Sequence, residues 1–194
     1  MIVTQLKESY FFTKSEKKSH ITLFFMSRSW YALYTRPRFE KKVADRLEEG
    51  GFEVWLPMQT MVRQWSDRKK KVQVPLFSSY VFIRAEQSEL YHAVQTDGVA
   101  RTIHFNGAPA VIRDEQIDLI RKILAGPDAF EVGDRNYVKG DPVAVVHGPL
   151  KGSRGRWVNW RGKKRVCLEL EQLHQVILVE VPAAFIEKIS ANEL

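Results

Sequence analysis

After Tyr137 the chain keeps no helical period. DPVAVV, RGRWVNW, KRVCLELE and VILVEV alternate apolar with polar positions at period two, are dense in β-branched residues, and are parted by turn residues. Segments of this kind bury their apolar side chains as strands. The pattern predicts a small all-β barrel over residues 137–189, near the lower size limit for independent folding. A helix across residues 140–180 would contradict it.

The preceding stretch reads differently. WYALYTR is aromatic and β-prone, and Pro37 stops further pairing. In FEKKVADRLEEGGF, Phe39, Val43 and Leu47 share one helical face, and Gly50–Gly51 ends the helix. EVWLP is a second strand. MVRQWSDRKKKVQVP reads as a hairpin with a charged tip from Asp67 to Lys71, and SSYVFIRA as the next strand. SELYHAVQT is a short helix, TIHFNGAPAVI has strand character around an Asn-Gly turn, and DEQIDLIRKIL is a helix with Ile117, Ile120 and Leu124 on its apolar face. The order over residues 29–125 is β-α-β-β-β-α-β-α, which predicts an α+β domain with a mainly antiparallel sheet and flanking helices. GPDAFEVGDRN, residues 126–136, reads as a linker.

Residues 1–28 stand apart. Their apolar run, Ile21 to Met26, is shorter than a secretory signal needs and far shorter than a membrane span. We read them as a poorly ordered extension. Met1 and Met26 both remain possible starts.

The loop GPLKGSRGRW, residues 148–157, holds three glycines and three basic residues. A phosphate-binding loop would place its lysine after the second glycine and open a helix. Here Lys151 precedes Gly152 and a strand follows, so the loop reads as a turn between strands. From Lys151 to Arg165 there are seven Lys or Arg and no acid, interleaved with Trp157 and Trp160. Two readings stand side by side: a nucleic-acid surface, or tryptophans packed in the barrel with solvated charges.

An apolar fraction of 44% suits a packed core, and a net charge of +7 favours an acidic partner. A single cysteine, Cys167, rules out an intrachain disulfide, and the five histidines have no metal-ligand spacing. A reducing cytoplasm fits. No nucleophile–base pair, carboxylate pair or metal cluster is recognisable, so neither an enzyme nor a cofactor is expected.

KGDPVAVVHGPLKGSRGRWV resembles a KOW motif, the strand-loop-strand signature of the NusG family and some ribosomal proteins. SWYALYTRPRFEKKVADRL, VPLFSSYVFIRA and GVARTIHFNGAPAVI resemble that family's N-terminal (NGN) domain. The resemblance covers residues 29–189 and is closest to specialised paralogues of the RfaH type and to the UpxY-like antiterminators of capsular-polysaccharide loci.

The resemblance implies an apolar pocket for the clamp helices of RNA polymerase, at Tyr34, Phe77, Tyr80, Phe82, Ile117 and Ile120. Tyr80 and Phe82 share one face of their strand. Val81 and Ile83 supply the other, which suffices for a core and favours a partner surface for Tyr34, Phe77 and Tyr80. The resemblance also implies contact with the non-template DNA strand by Arg36, Lys42 and Arg46. Lys42 and Arg46 lie at i, i+4 and are expected to point together. Tyr91 and His92 fall where the family meets the polymerase gate loop. Asp97 replaces a basic residue of the RfaH type. Lys151, Arg154 and Arg156 are the candidates for a KOW-loop partner: a ribosomal protein, a termination factor or nascent RNA. The function implied is a non-enzymatic, cytoplasmic transcription elongation and antitermination factor. The alternative is a ribosome- or RNA-binding KOW-domain protein.

Overall fold

The computed structural model describes residues 28–65, 68–127, 129–134 and 140–194; the readings of residues 1–27 and of Asp67 lie outside them. In chain order the N-terminal elements are β1 (Ser29–Thr35), α1 (Glu40–Glu49), β2 (Glu53–Trp55), β3 (Met58–Gln64), β4 (Lys69–Pro75), β5 (Tyr80–Ala85), α2 (Leu90–Val94), β6 (Val99–Thr102), β7 (His104–Phe105), β8 (Ala108–Pro109), β9 (Val111–Ile112) and α3 (Asp114–Ala125).

An antiparallel sheet in the order β2-β5-β1-β6, with β9 also paired to β1, forms the middle layer. Helices cover both of its faces. Alternation along β1 and β5 sends Tyr31, Leu33, Val81 and Ile83 to one side, where they pack with Val43, Ala44 and Leu47 of α1 and with Leu90 and Ala93 of α2. The other side carries Trp30, Ala32 and Phe82, which cluster with Ile117, Ile120 and Ile123 of α3. In α3, Asp114 and Glu115 occupy the first turn and Lys122 the last, the order the helix dipole prefers. The β3–β4 hairpin pairs with no other strand. In the tight turn joining β7 to β8, Asn106 and Gly107 both have positive φ, at 51° and 83°.

The C-terminal elements are β10 (Phe130–Asp134), β11 (Asp141–Val145), β12 (Arg154–Trp160), β13 (Lys163–Leu170), β14 (Gln175–Val179) and β15 (Ile186–Lys188). They form one six-stranded antiparallel sheet in the order β10-β14-β13-β12-β11-β15. Among the described residues after Gly140 there is no α-helix, only single 3-10 turns.

One expectation changes. Residues 130–134 are not linker: β10 pairs along its length with β14, from Phe130 opposite Val179 to Asp134 opposite Gln175. Phe130 and Val132 supply the apolar positions that pack on the core. The glycine and acids nearby hide this short alternation.

The two parts are in contact. A single apolar cluster runs from Phe77, Phe82, Ile117 and Ile120 into Leu168 of β13 and into Leu150 and Leu173, which lie in the connections between the C-terminal strands. Gln116 donates to Gln172 Oε1 at 3.2 Å, and the rings of Phe105 and His174 lie 6.5 Å apart.

Candidate interaction surfaces

The aromatic candidates form a row on the α3 side of the sheet. Register places Tyr34 opposite Tyr80, with their rings edge-to-face at 5.5 Å. The Arg101 guanidinium lies over Tyr34 at 5.2 Å. Deeper in, Phe82 contacts Phe77 at 6.0 Å and Trp55 at 5.6 Å, and Trp55 meets Trp30 at 6.4 Å. Arg121 of α3 reaches back over both tryptophans, 5.2 Å from Trp55 and 5.8 Å from Trp30.

Burial divides this group. Phe77, Phe82, Ile117 and Ile120 are at most 2% exposed, whereas Tyr34 and Tyr80 are half-buried. The sequence reading favoured a partner surface for Phe77; here Phe77 is buried and packs in the core. Val81 and Ile83 do fill the opposite face, but α3 and the C-terminal sheet build a second core on this one. Trp30, Trp55, Arg101 and Arg121 belong to the same row and were not singled out from sequence. The aromatics in WYALYTR and EVWLP were visible; that one arginine of α3 covers two of them depends on how the helix docks.

The tyrosine edge is held by a buried carboxylate. Glu40, in the first turn of α1, accepts a hydrogen bond from the Ser79 amide at 2.7 Å. Ser79 has φ 65°, an uncommon conformation for a residue with a side chain, and its carbonyl accepts from the Thr35 amide at 2.9 Å. This fixes the PLFSSY turn beside β1. Between that turn and β10 lies a cleft of about 1190 Å³, with Phe77 and Tyr80 on one wall and Phe130 and Val132 on the other.

The basic candidates are exposed but not arranged as expected. Arg36 and Arg46 both turn to Asp97, at 3.4 Å and 2.8 Å, and Arg46 also donates to the Asp97 carbonyl at 2.6 Å. Lys42 instead lies 5.3 Å from the centre of the Phe39 ring. The Asp97 carboxylate gathers the two arginines, while Lys42 lies against Phe39. Tyr91 is 71% exposed and stacks edge-on with His92.

In the 148–157 loop, Gly152 has φ 89°, and its amide donates to the Val145 carbonyl at 2.8 Å. A Cβ on Gly155 would run into the Cys167 carbonyl oxygen, so β12 can approach β13 closely only with glycine there. The loop is a turn between strands. Its charges are largely matched. Arg156 pairs with Glu169 at 3.3 Å, and Arg154 donates to the Glu193 carbonyl at 2.7 Å. Lys151, Arg154 and Arg156 line a second cleft, of about 720 Å³, together with Arg113 at the start of α3 and Gln116 and Lys122 within it.

Arg165 is buried between Glu131 at 3.0 Å and Glu180 at 2.8 Å, and Lys163 also reaches Glu180 at 2.9 Å. The Arg165 guanidinium beside Glu131 holds its carboxyl below the usual carboxylate range, against the opposing effect of burial. Lys163 first, then Arg165, does the same for Glu180. Trp157 packs half-buried on the core, and Trp160 donates to Glu131 at 3.1 Å. Burial pushes the Cys167 thiol up to about 12. Among the described residues, no group of three His, Cys, Asp or Glu is placed to hold a metal, and no helix is long and apolar enough to cross a membrane.

The site thus lies on a sandwich of helix, antiparallel sheet and helix joined to a β-sheet domain, with an aromatic and a basic edge on the first. The NusG family model, described as transcription termination factor NusG, matches residues 28–121. Two similar proteins are the transcription termination/antitermination proteins NusG of Pseudomonas aeruginosa and Haemophilus influenzae. Each is 25% identical, covers 84% of this chain, and is itself covered over 100% and 95% of its length. The solved structure of Thermotoga maritima NusG superposes with a TM-score of 0.50 at 21% identity, covering 85% of this chain and 99% of its own. Residues 28–121 thus match the NusG family model, and over most of its length this chain is similar to NusG transcription termination/antitermination proteins.

Proposed function

We propose that this protein is an elongation and antitermination factor that binds RNA polymerase through its N-terminal domain and suppresses pausing. The observation that carries the proposal is the Tyr34–Tyr80 pair. It is a half-buried aromatic edge continuous with Phe77, Phe82, Ile117 and Ile120, beside a basic edge of Arg36, Lys42 and Arg46. The aromatic edge is suited to the apolar clamp helices of the polymerase, and the basic edge to the non-template DNA strand. Tyr91 and His92 face the gate loop. A factor bridging the two sides of the DNA channel favours the closed, elongating state by differential binding alone.

The buried members of the face share their cluster with the C-terminal sheet, so full engagement of the polymerase requires that sheet to move away. In this reading the C-terminal domain is a KOW barrel that, once released, offers Lys151, Arg154 and Arg156 to a ribosomal protein, a termination factor or nascent RNA. The resemblance to RfaH-like and UpxY-like antiterminators supports service at a dedicated operon such as a polysaccharide locus, in the cytoplasm. A purely RNA-binding role has less support, because Arg156, Arg161, Lys163 and Arg165 already face glutamates. Affinity purification of the full chain from its host decides between the two. Core polymerase subunits support the proposal; ribosomal subunits alone refute it.

A further inference from the structure

Among the described residues, none of the β3–β4 hairpin belongs to a buried core cluster. It pairs with no other strand, and from Thr60 outward the described side chains of β3 are exposed, as are Lys69, Lys70 and Lys71 on β4. Residues 58–75 carry five basic residues and one acid, Asp67. Trp65, at the end of the ribbon, is 55% exposed, and its amide donates to the Arg68 carbonyl at 2.8 Å. A large aromatic left in water among cations is surface that a partner can cover.

We propose that this hairpin binds duplex DNA by entering the major groove. Three observations fix the occupant. The charge is one-sided, so the partner is a polyanion. The register places Gln64 opposite Lys69, Val62 opposite Lys71 and Thr60 opposite Gln73, so these six side chains share one face of the ribbon; Gln73 donates to Thr60 across it at 2.7 Å. That face combines two ammonium groups for phosphates or guanine edges with two amides able to read adenine. The shape supplies the third. A two-stranded ribbon fits the roughly 12 Å wide major groove of B-form DNA, and the seven residues of each strand reach about 24 Å, well beyond a groove depth of about 8.5 Å. The deep, narrow major groove of A-form RNA excludes such a ribbon. The proposal does not depend on the polymerase reading.

The test is fluorescence anisotropy of the full chain, without polymerase, on a random-sequence B-form duplex of about two helical turns, titrated over a range of salt. Each neutralised phosphate contact contributes about 0.9 to the slope of log affinity against log salt, so Lys69→Gln/Lys71→Gln is expected to lower that slope by about 1.8. Its affinity at low salt is expected to fall by about tenfold or more, with an unchanged melting temperature. Trp65→Ala is expected to weaken binding without changing the slope. Methyl green, which occupies the major groove, should compete, and netropsin, which occupies the minor groove, should not. Arg36→Gln/Arg46→Gln should leave the hairpin-dependent difference intact. An unchanged slope in the lysine variant, equal affinity for an RNA duplex of the same sequence, or competition by netropsin alone would each overturn the proposal.

Discussion

Tyr34 and Tyr80 face each other across the β1–β5 pair with their rings 5.5 Å apart and nearly perpendicular, and Arg101 caps Tyr34 from the neighbouring strand. Both rings are half-buried. Such a pair is rigid before a partner arrives, so little side-chain entropy remains to be lost on binding. Glu40 contributes from below: its hydrogen bond to the Ser79 amide holds the turn that delivers Tyr80.

Asp97 is the counter-charge to the basic edge. Asp97→Asn removes the carboxylate shared by Arg36 and Arg46 while leaving its carbonyl in place. Exposed ion pairs of this kind are worth up to about 1 kcal/mol, so affinity for single-stranded DNA should rise by up to about fivefold. A filter-binding titration of the variant against the parent measures it; unchanged or weaker binding would show that the arginines do not contact DNA.

The Glu131–Arg165–Glu180 group links β10, β13 and the end of β14. Both carboxyls are held below the ordinary glutamate value of 4.5. A carboxylate with a depressed folded-state pKa adds stability above its unfolded value and loses it as pH falls through the folded value. The melting temperature of the C-terminal domain should therefore drop below about pH 4.5. Arg165→Met should cost about 2 kcal/mol at neutral pH and make that acid decline shallower, because Glu131 loses its main partner. Thermal melts at several pH values test both statements, and an equally steep acid decline in the variant would contradict them.

Cys167 reports on the same domain. It is buried in the sheet with its thiol pushed up to about 12, so almost no thiolate is present at pH 8. A thiol reagent such as DTNB should leave the native protein unmodified and react with one equivalent after denaturation. Rapid reaction in the native state would mean that the sheet opens readily.

Much of the fold was legible because its periods are clean. The alternation in KRVCLELE and VILVEV became β13 and β14, and Val43 with Leu47 set the buried face of α1. β10 escaped because its five residues, FEVGD, follow Gly126, Pro127 and Asp128 and carry too little alternation to stand out. The candidate site was harder to read. Tyr80 and Phe82 share a strand face, but only tertiary packing decides that Phe82 is covered and Tyr80 stays half open. The pairing of Arg36 with Arg46 through Asp97 joins residues far apart in sequence, and no local pattern signals it.

The central claim is that the tyrosine edge meets RNA polymerase. Its most direct test is readthrough of a pause site by purified polymerase, with the full chain or with Tyr34→Ala/Tyr80→Ala added at equal concentration. Loss of two aromatic anchors at an interface typically costs 2 kcal/mol or more, so the half-maximal concentration should rise by about thirtyfold or more while the variant's melting temperature stays close to the parent's. An unchanged dose response from a folded variant would contradict the account.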